Sequence, residues 1–240
     1  MIEGGLLRTE ILLGKEGVKR LSESFVVIAG AGAVGGWALE ALVRAGIGKI
    51  RIVDFDKVQA SNLNRQVLAT VDVIGKPKTE LAVQRALSVN PDIQIEPMNL
   101  MIAVDTVDEV LQGKPDVLID AIDTVACKIQ LLKAATEQGI TVFSSMGAAL
   151  RTDTSMIKTT SLDKTKVCPL AKLIRTGLKK ENVDIGRIMT VYSEEVPRVI
   201  PDGRDEKGKS VLGSLPTIPA VFGFTLANMA ILHLTDCKGE

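Results

Sequence analysis

Gly30, Gly32 and Gly35 stand at G-x-G-x-x-G spacing between an apolar run at 25–29 and a segment of helical period at 34–45. In that context the three residues describe a phosphate-binding loop. The first glycine permits a tight turn, the second lets backbone N–H groups approach phosphate, and the third lets helix and strand pack closely. The start of the helix adds the positive end of its dipole. The glycines alone do not say whose phosphate is held. Asp54 ends the next apolar run, in an Asp-Phe-Asp stretch that includes Asp56, and its carboxylate can accept hydrogen bonds from ribose hydroxyls. That position serves a nicotinamide dinucleotide as well as it serves ATP.

The cations decide between them. Arg65 lies in Ser-Asn-Leu-Asn-Arg-Gln, and Lys78 lies at the start of a helix in Gly-Lys-Pro-Lys. A dinucleotide has its pyrophosphate already served by the helix start and backbone amides. Two further cations, with Asn62 and Asn64 beside them, suit β- and γ-phosphates and a pyrophosphate leaving group. Asp123, three residues beyond Asp120 at the end of a strand, is placed to hold Mg²⁺ through oxygen. Any one of these charges alone reads as a solvated surface residue. Together, at the carboxyl ends of consecutive strands, they favour cleavage of a triphosphate over hydride transfer.

The elements that must position these residues alternate regularly. Strands are predicted at 25–29, 50–54, 93–98, 117–120 and 141–145, and helices at 9–21, 34–45, 77–87, 106–111 and 125–138. Near-continuous apolar strands between helices predict an α/β fold with a doubly wound, Rossmann-like, mostly parallel sheet. Beyond residue 151 the rhythm changes. Strands at 155–160 and 187–193 suggest an antiparallel portion that continues the sheet, with a helix between them. Residues 197–217 read as an exposed, mobile loop, and 219–234 as a buried closing helix rather than a membrane span. The expected organisation is one unit over 1–240. Within it, 8–150 binds ATP and 151–240 faces the substrate without folding independently.

Composition sets the outer limits. The 240 residues are 46% hydrophobic and 24% charged with zero formal net charge, so a polyanionic partner must be met by a local basic patch. Three cysteines, Cys127, Cys168 and Cys237, form no C-x-x-C pair, which argues against zinc and against a disulfide framework. A cytoplasmic location fits. The lone His233 lies in the apolar closing helix and reads as structural.

Gly-Ala-Gly-Ala-Val-Gly-Gly, Asp-Phe-Asp, Ser-Asn-Leu-Asn-Arg-Gln, Gly-Lys-Pro-Lys and Asp-Ala-Ile-Asp (120–123) together resemble a known set. It is that of the adenylating domain shared by ubiquitin-activating enzymes and their bacterial relatives in molybdopterin and thiamine synthesis. That family activates a carboxylate by attaching AMP. The resemblance implies that Asp54 holds the ribose, that Arg65 and Lys78 hold phosphates, and that Asp123 binds magnesium. It also implies that Arg8, in Arg-Thr-Glu-Ile-Leu-Leu-Gly, is an arginine finger reaching a partner subunit's ATP, hence a homodimer. It leaves room for a sulfur-relay or cysteine desulfurase-type partner.

The acceptor is read from the second half. Pro-Leu-Ala-Lys-Leu-Ile-Arg-Thr-Gly-Leu-Lys-Lys resembles the segment of tRNA threonylcarbamoyladenosine dehydratases in which Asp-Pro-Leu precedes a basic helix. Here Cys168 stands where those proteins have the aspartate. Gly147–Ala149, Val191–Pro197 and Ile218–Ala227 extend the likeness. It implies ATP-dependent cyclisation of the threonylcarbamoyl group on adenosine 37 of tRNA. The alternative is an adenylyltransferase for a ubiquitin-like sulfur carrier. Between Lys164 and Lys180 there are six basic residues and no acidic one. Lys172, Arg175, Lys179 and Lys180 are the expected tRNA ridge, on a helix docked through Leu170, Leu173, Ile174 and Leu178. Arg198, Arg204, Lys207 and Lys209 would extend it, diluted by Asp202, Asp205 and Glu206.

Overall fold

Phe25, Val27 and Ala29 face one side of β1 (Phe25–Ala29), Val26 and Ile28 the other, and all five are buried. A strand buried on both faces needs helices on both, which is the condition for a parallel sheet. The structure, a computed structural model, describes residues 4–197, 203–204 and 211–236. The loop residues Arg198, Asp202, Asp205, Glu206, Lys207 and Lys209, and Cys237, lie outside the described residues.

The chain runs α1 (Leu7–Glu23), β1, α2 (Gly35–Ala45), β2 (Lys49–Val53), α3 (Lys78–Val89), β3 (Gln94–Met98), α4 (Val107–Leu111), β4 (Val117–Asp120), α5 (Val125–Glu137) and β5 (Thr141–Ser145). It continues through β6 (Ile157–Ser161), α6 (Pro169–Lys180), β7 (Met189–Ser193) and α7 (Thr217–Leu234). The strands form one sheet in the order β3-β2-β1-β4-β5-β7-β6. Residues of α1, α2, α3 and α7 cover one face, and residues of α4, α5 and α6 cover the other. From β1 the chain winds outward to β2 and β3, then returns to place β4 on the opposite side of β1. The crevice beyond the carboxyl ends of β1 and β4 is therefore the switch point, where such sheets bind ligands.

Three expectations change. The antiparallel portion is β6 alone, at the edge. β7 pairs parallel with β5 (Ser144 opposite Thr190), because the chain leaves β5, forms β6 and returns through α6, a crossover long enough for parallel pairing. The leading helix is broken at Gly14 (φ 75°, ψ 166°), and Ile11 and Leu12 ahead of the break are 76% and 82% exposed rather than docked. Leu173 also faces solvent, so α6 docks through Leu170, Ala171, Ile174 and Leu178.

By length and composition α7 could cross a membrane, but it packs on α2 and the sheet. A Cβ added at Gly223 would stand 2.4 Å from Val34 O and 2.8 Å from Trp37 Cβ, so the two helices meet at van der Waals distance through that glycine. His233 lies 3.1 Å from Thr141 Oγ1 and meets the Phe143 ring edge-on.

Candidate active site

The glycine loop fills the switch point. Gly30 has φ 95° and donates to Val53 O (2.7 Å), and a Cβ there would lie 2.8 Å from Ala121 O, just beyond the end of the neighbouring β4. A Cβ on Gly35 would fall 1.7 Å from Gly30 O, so the turn closes only because no side chain is present. Gly32 differs. Its missing Cβ would meet nothing nearer than Gln66 Nε2 at 3.9 Å, which leaves the loop open on that side. No side chain caps the start of α2; Gly36 N–H donates back to Gly32 O (3.0 Å), and the positive end of the helix dipole faces the loop.

Asp54 braces this loop from β2. Its Oδ2 accepts from Ala31 N–H (2.7 Å) and its Oδ1 from Asp56 N–H (2.8 Å). Lys78 opens α3 with a 6% exposed side chain, and its Nζ pairs with Asp56 Oδ2 at 2.9 Å. Asp56 is half exposed, so an incoming phosphate can replace it as the partner of Lys78. Arg65 is half-buried, and its Nη1 donates to Ser61 O (2.7 Å) and Asn64 Oδ1 (2.9 Å). Asn64 Nδ2 in turn donates to Ser214 O (2.9 Å), and Trp37 Nε1 to Arg65 O (3.4 Å). Asn62 is buried and its Oδ1 accepts from Gln59 N–H (3.0 Å), so it shapes the loop that carries Arg65.

Beyond β4, Asp123 is exposed, beside Thr124. Among the described residues no group of three or more His, Cys, Asp or Glu converges on a metal position. A cation at Asp123 would take its remaining ligands from nucleotide oxygens and water, as suits Mg²⁺. The segment leading to Asp123 is held by a residue that sequence reasoning missed. Lys128 is fully buried, with Nζ 2.6 Å from Asp120 Oδ2 and 3.0 Å from Ile122 O, while Ser144 Oγ donates to Asp120 Oδ2 (2.6 Å). The signal was there: Lys128 shares the face of α5 that carries Leu131, Leu132 and Ala135, where a charge needs a partner.

The ThiF family matches residues 6–240. The chain belongs to the ThiF family. It is similar to the tRNA threonylcarbamoyladenosine dehydratase of Bacillus subtilis, at 35% identity over 237 residues covering 95% of this chain and 93% of that protein. It is also similar to tRNA threonylcarbamoyladenosine dehydratase 2 of Saccharomyces cerevisiae, at 34% identity, covering 93% of this chain and 55% of that protein. Among solved structures it is similar to the E. coli tRNA N6-threonylcarbamoyladenosine dehydratase TcdA in complex with ATP. That match has a TM-score of 0.88 and 28% identity, covering 97% of this chain and 94% of that one.

In this ThiF-family chain the glycine loop, Asp54, Asp56 and Lys78 form one connected group, with Arg65 and Asn64 tied to Ser214. Arg8 stands apart, exposed on α1, and no contact among the described residues joins it to that group. On α6, Lys172, Lys179 and Lys180 are exposed, whereas Arg175 is turned inward. Its Nη1 donates to Thr165 O (2.8 Å) and to Thr165 Oγ1, so it holds the turn before the helix instead of facing outward with the lysines. Cys168 is 3% exposed at the start of α6, and Cys127 is half-buried.

Proposed function

We propose that this chain uses ATP to activate the carboxylate of a threonylcarbamoyl group on adenosine 37 of tRNA and closes that group into a ring. One observation carries the reading. The likeness to dehydratases runs the whole length of the chain, through β6, α6, β7 and α7, which nucleotide binding alone does not require. The chain acts as one unit, with 8–150 holding ATP and 151–240 facing the acceptor.

In this reading the glycine loop and the start of α2 receive phosphates, and Asp54 receives the ribose hydroxyls. Asp56, Asn62 and Asn64 keep Lys78 and Arg65 aimed at the outer phosphates. Asp123 would hold the magnesium ion that accompanies ATP, which adds charge neutralisation at the phosphates. A carboxylate oxygen attacks the α-phosphorus, and the bond to the bridging oxygen breaks with its electron pair leaving on pyrophosphate. Lys78 and Arg65 stabilise that charge as it develops. The urea nitrogen next to the adenine then attacks the acyl carbon and gives up its proton, and the bond to AMP breaks with its pair on the phosphate. Because this nucleophile belongs to the same substrate, effective molarity is high and no enzyme nucleophile is required. A buried Cys168 fits that economy. Arg8 completes the site of a partner protomer in a homodimer, and the enzyme works in the cytoplasm.

The test is exchange of labelled pyrophosphate into ATP, with tRNA bearing threonylcarbamoyladenosine or with a sulfur carrier ending in Gly-Gly. The tRNA is expected to stimulate exchange and to yield cyclised nucleoside. Lys78→Ala should lower the rate by about 10²-fold or more. Exchange with the carrier alone would reverse the assignment.

A further inference from the structure

Six residues beyond β5, Arg151 is 2% exposed, and neither its Nε nor its Nη1 has a hydrogen-bond partner among the described residues. A guanidinium does not give up its proton in proteins, so a charged group with at least two unmatched donors stands in the interior. Burial lowers its pKa, opposed by the nearby Cys168 thiol and the Glu195 carboxylate. Glu195 offsets part of the charge, but the unmatched donors make the site costly unless an acceptor completes it.

The backbone on either side holds it in place. Leu150 sits at φ 61°, a conformation that L-residues avoid, and its N–H donates to Gly213 O (2.9 Å). Thr152 and Asp153 both donate their N–H groups to Glu195 Oε2 (2.8 and 2.9 Å). Arg151 is clamped between these two anchors. The first anchor leads to the nucleotide site: Ser214, next to Gly213, accepts from Asn64, and Asn64 accepts from Arg65. The side chain lies beside Cys168 at the start of α6 and Glu195 just beyond β7, while the backbone next to it is tied through Gly213 and Ser214 to Asn64.

The phosphates already have Lys78, Arg65 and the glycine loop. The acceptor's carboxylate has no cation in that group. We infer that Arg151 is the receptor for the carboxylate that is to be adenylated, a binding residue on the acceptor side of the site; this rests on the function proposed above. Guanidinium matches a carboxylate by charge and by paired N–H donors. Adenylation then removes the carboxylate's charge, so the contact weakens as the acyl group moves toward ring closure.

Arg151→Met and Arg151→Lys test this, with three readouts: melting temperature without ligand, ATP affinity, and kcat/KM for tRNA bearing threonylcarbamoyladenosine. Arg151→Met removes a buried charge and its unmatched donors, so it is expected to melt no lower than the parent and to keep its ATP affinity. Its kcat/KM for tRNA should fall by about 10- to 100-fold, the equivalent of a lost charge-assisted hydrogen bond. Arg151→Lys should fall between the two. Unchanged kcat/KM for tRNA in the Met variant overturns the assignment. A matching loss of ATP affinity overturns it too, in favour of a phosphate ligand. A lower melting temperature in both variants, with activity lost in parallel, makes Arg151 structural. If the parent itself does not act on the tRNA, the proposed function fails first and takes this assignment with it.

Discussion

Lys128 Nζ stands 2.6 Å from Asp120 Oδ2, and solvent reaches neither side chain. The pair joins the end of β4 to the first turn of α5, and so fixes the short segment between them that presents Asp123. Removing one member of a buried pair leaves the other charge without compensation. Lys128→Met is expected to destabilise the chain by about 3–5 kcal/mol, and adding Asp120→Asn should recover part of that loss. Chemical denaturation of the single and double variants measures it. Equal midpoints for Lys128→Met and the parent would deny the pair any structural role.

Two glycines of one motif should fail in different ways. Gly35→Ala places a methyl 1.7 Å from Gly30 O, so the variant should not fold to a native melting transition. Gly32→Ala meets only Gln66 Nε2 at 3.9 Å and should melt like the parent. Its methyl would stand on the face that phosphate approaches, so ATP should bind at least about tenfold more weakly. Calorimetric titration with ATP on folded Gly32→Ala checks the contrast.

The basic helix separates into two kinds of cation. Lys172, Lys179 and Lys180 are exposed, and replacing all three by alanine should reduce the slope of log affinity for tRNA against log salt by about one for each of them that meets a phosphate. Arg175→Ala should leave that slope alone. It should instead lower stability by about 1–3 kcal/mol, because Thr165 loses its donor. Filter binding at several salt concentrations, alongside thermal melts, distinguishes the two kinds. A slope unchanged in the triple variant would take the phosphate ridge away from α6.

Arg8 is exposed on its own protomer, and Ile11 and Leu12 beside it expose apolar surface. If Arg8 serves the partner's nucleotide, Arg8→Ala should be inactive alone while retaining the fold. Mixing it with inactive Lys78→Ala should restore about a quarter of the parental rate, one complete site in half of randomly paired two-fold dimers. No recovery on mixing would place Arg8 in its own protomer's site or outside catalysis.

Much of this protein is legible in short stretches of its chain. The spacing of Gly30, Gly32 and Gly35 and the apolar runs that become β1 to β5 depend on neighbours within a few residues. So does the placing of Asp54 and Lys78 at element ends. Steric and periodic rules act over that range, so the sequence alone was enough to locate the elements and the tight glycine loop. Other features belong to tertiary structure because they depend on partners far along the chain. Asp120 and Lys128 acquire meaning only when packing denies both of them water. Arg175 leaves the basic ridge because the turn at Thr165 offers it a carbonyl. Ile11, Leu12 and Leu173 follow apolar spacing yet face solvent, and β7 settles parallel to β5. Arg151 is one arginine among many in sequence. Only the closed layer around it leaves its charge buried and two of its donors unmet, since burial and hydrogen-bond satisfaction are set by the assembled chain and not by any local stretch of it.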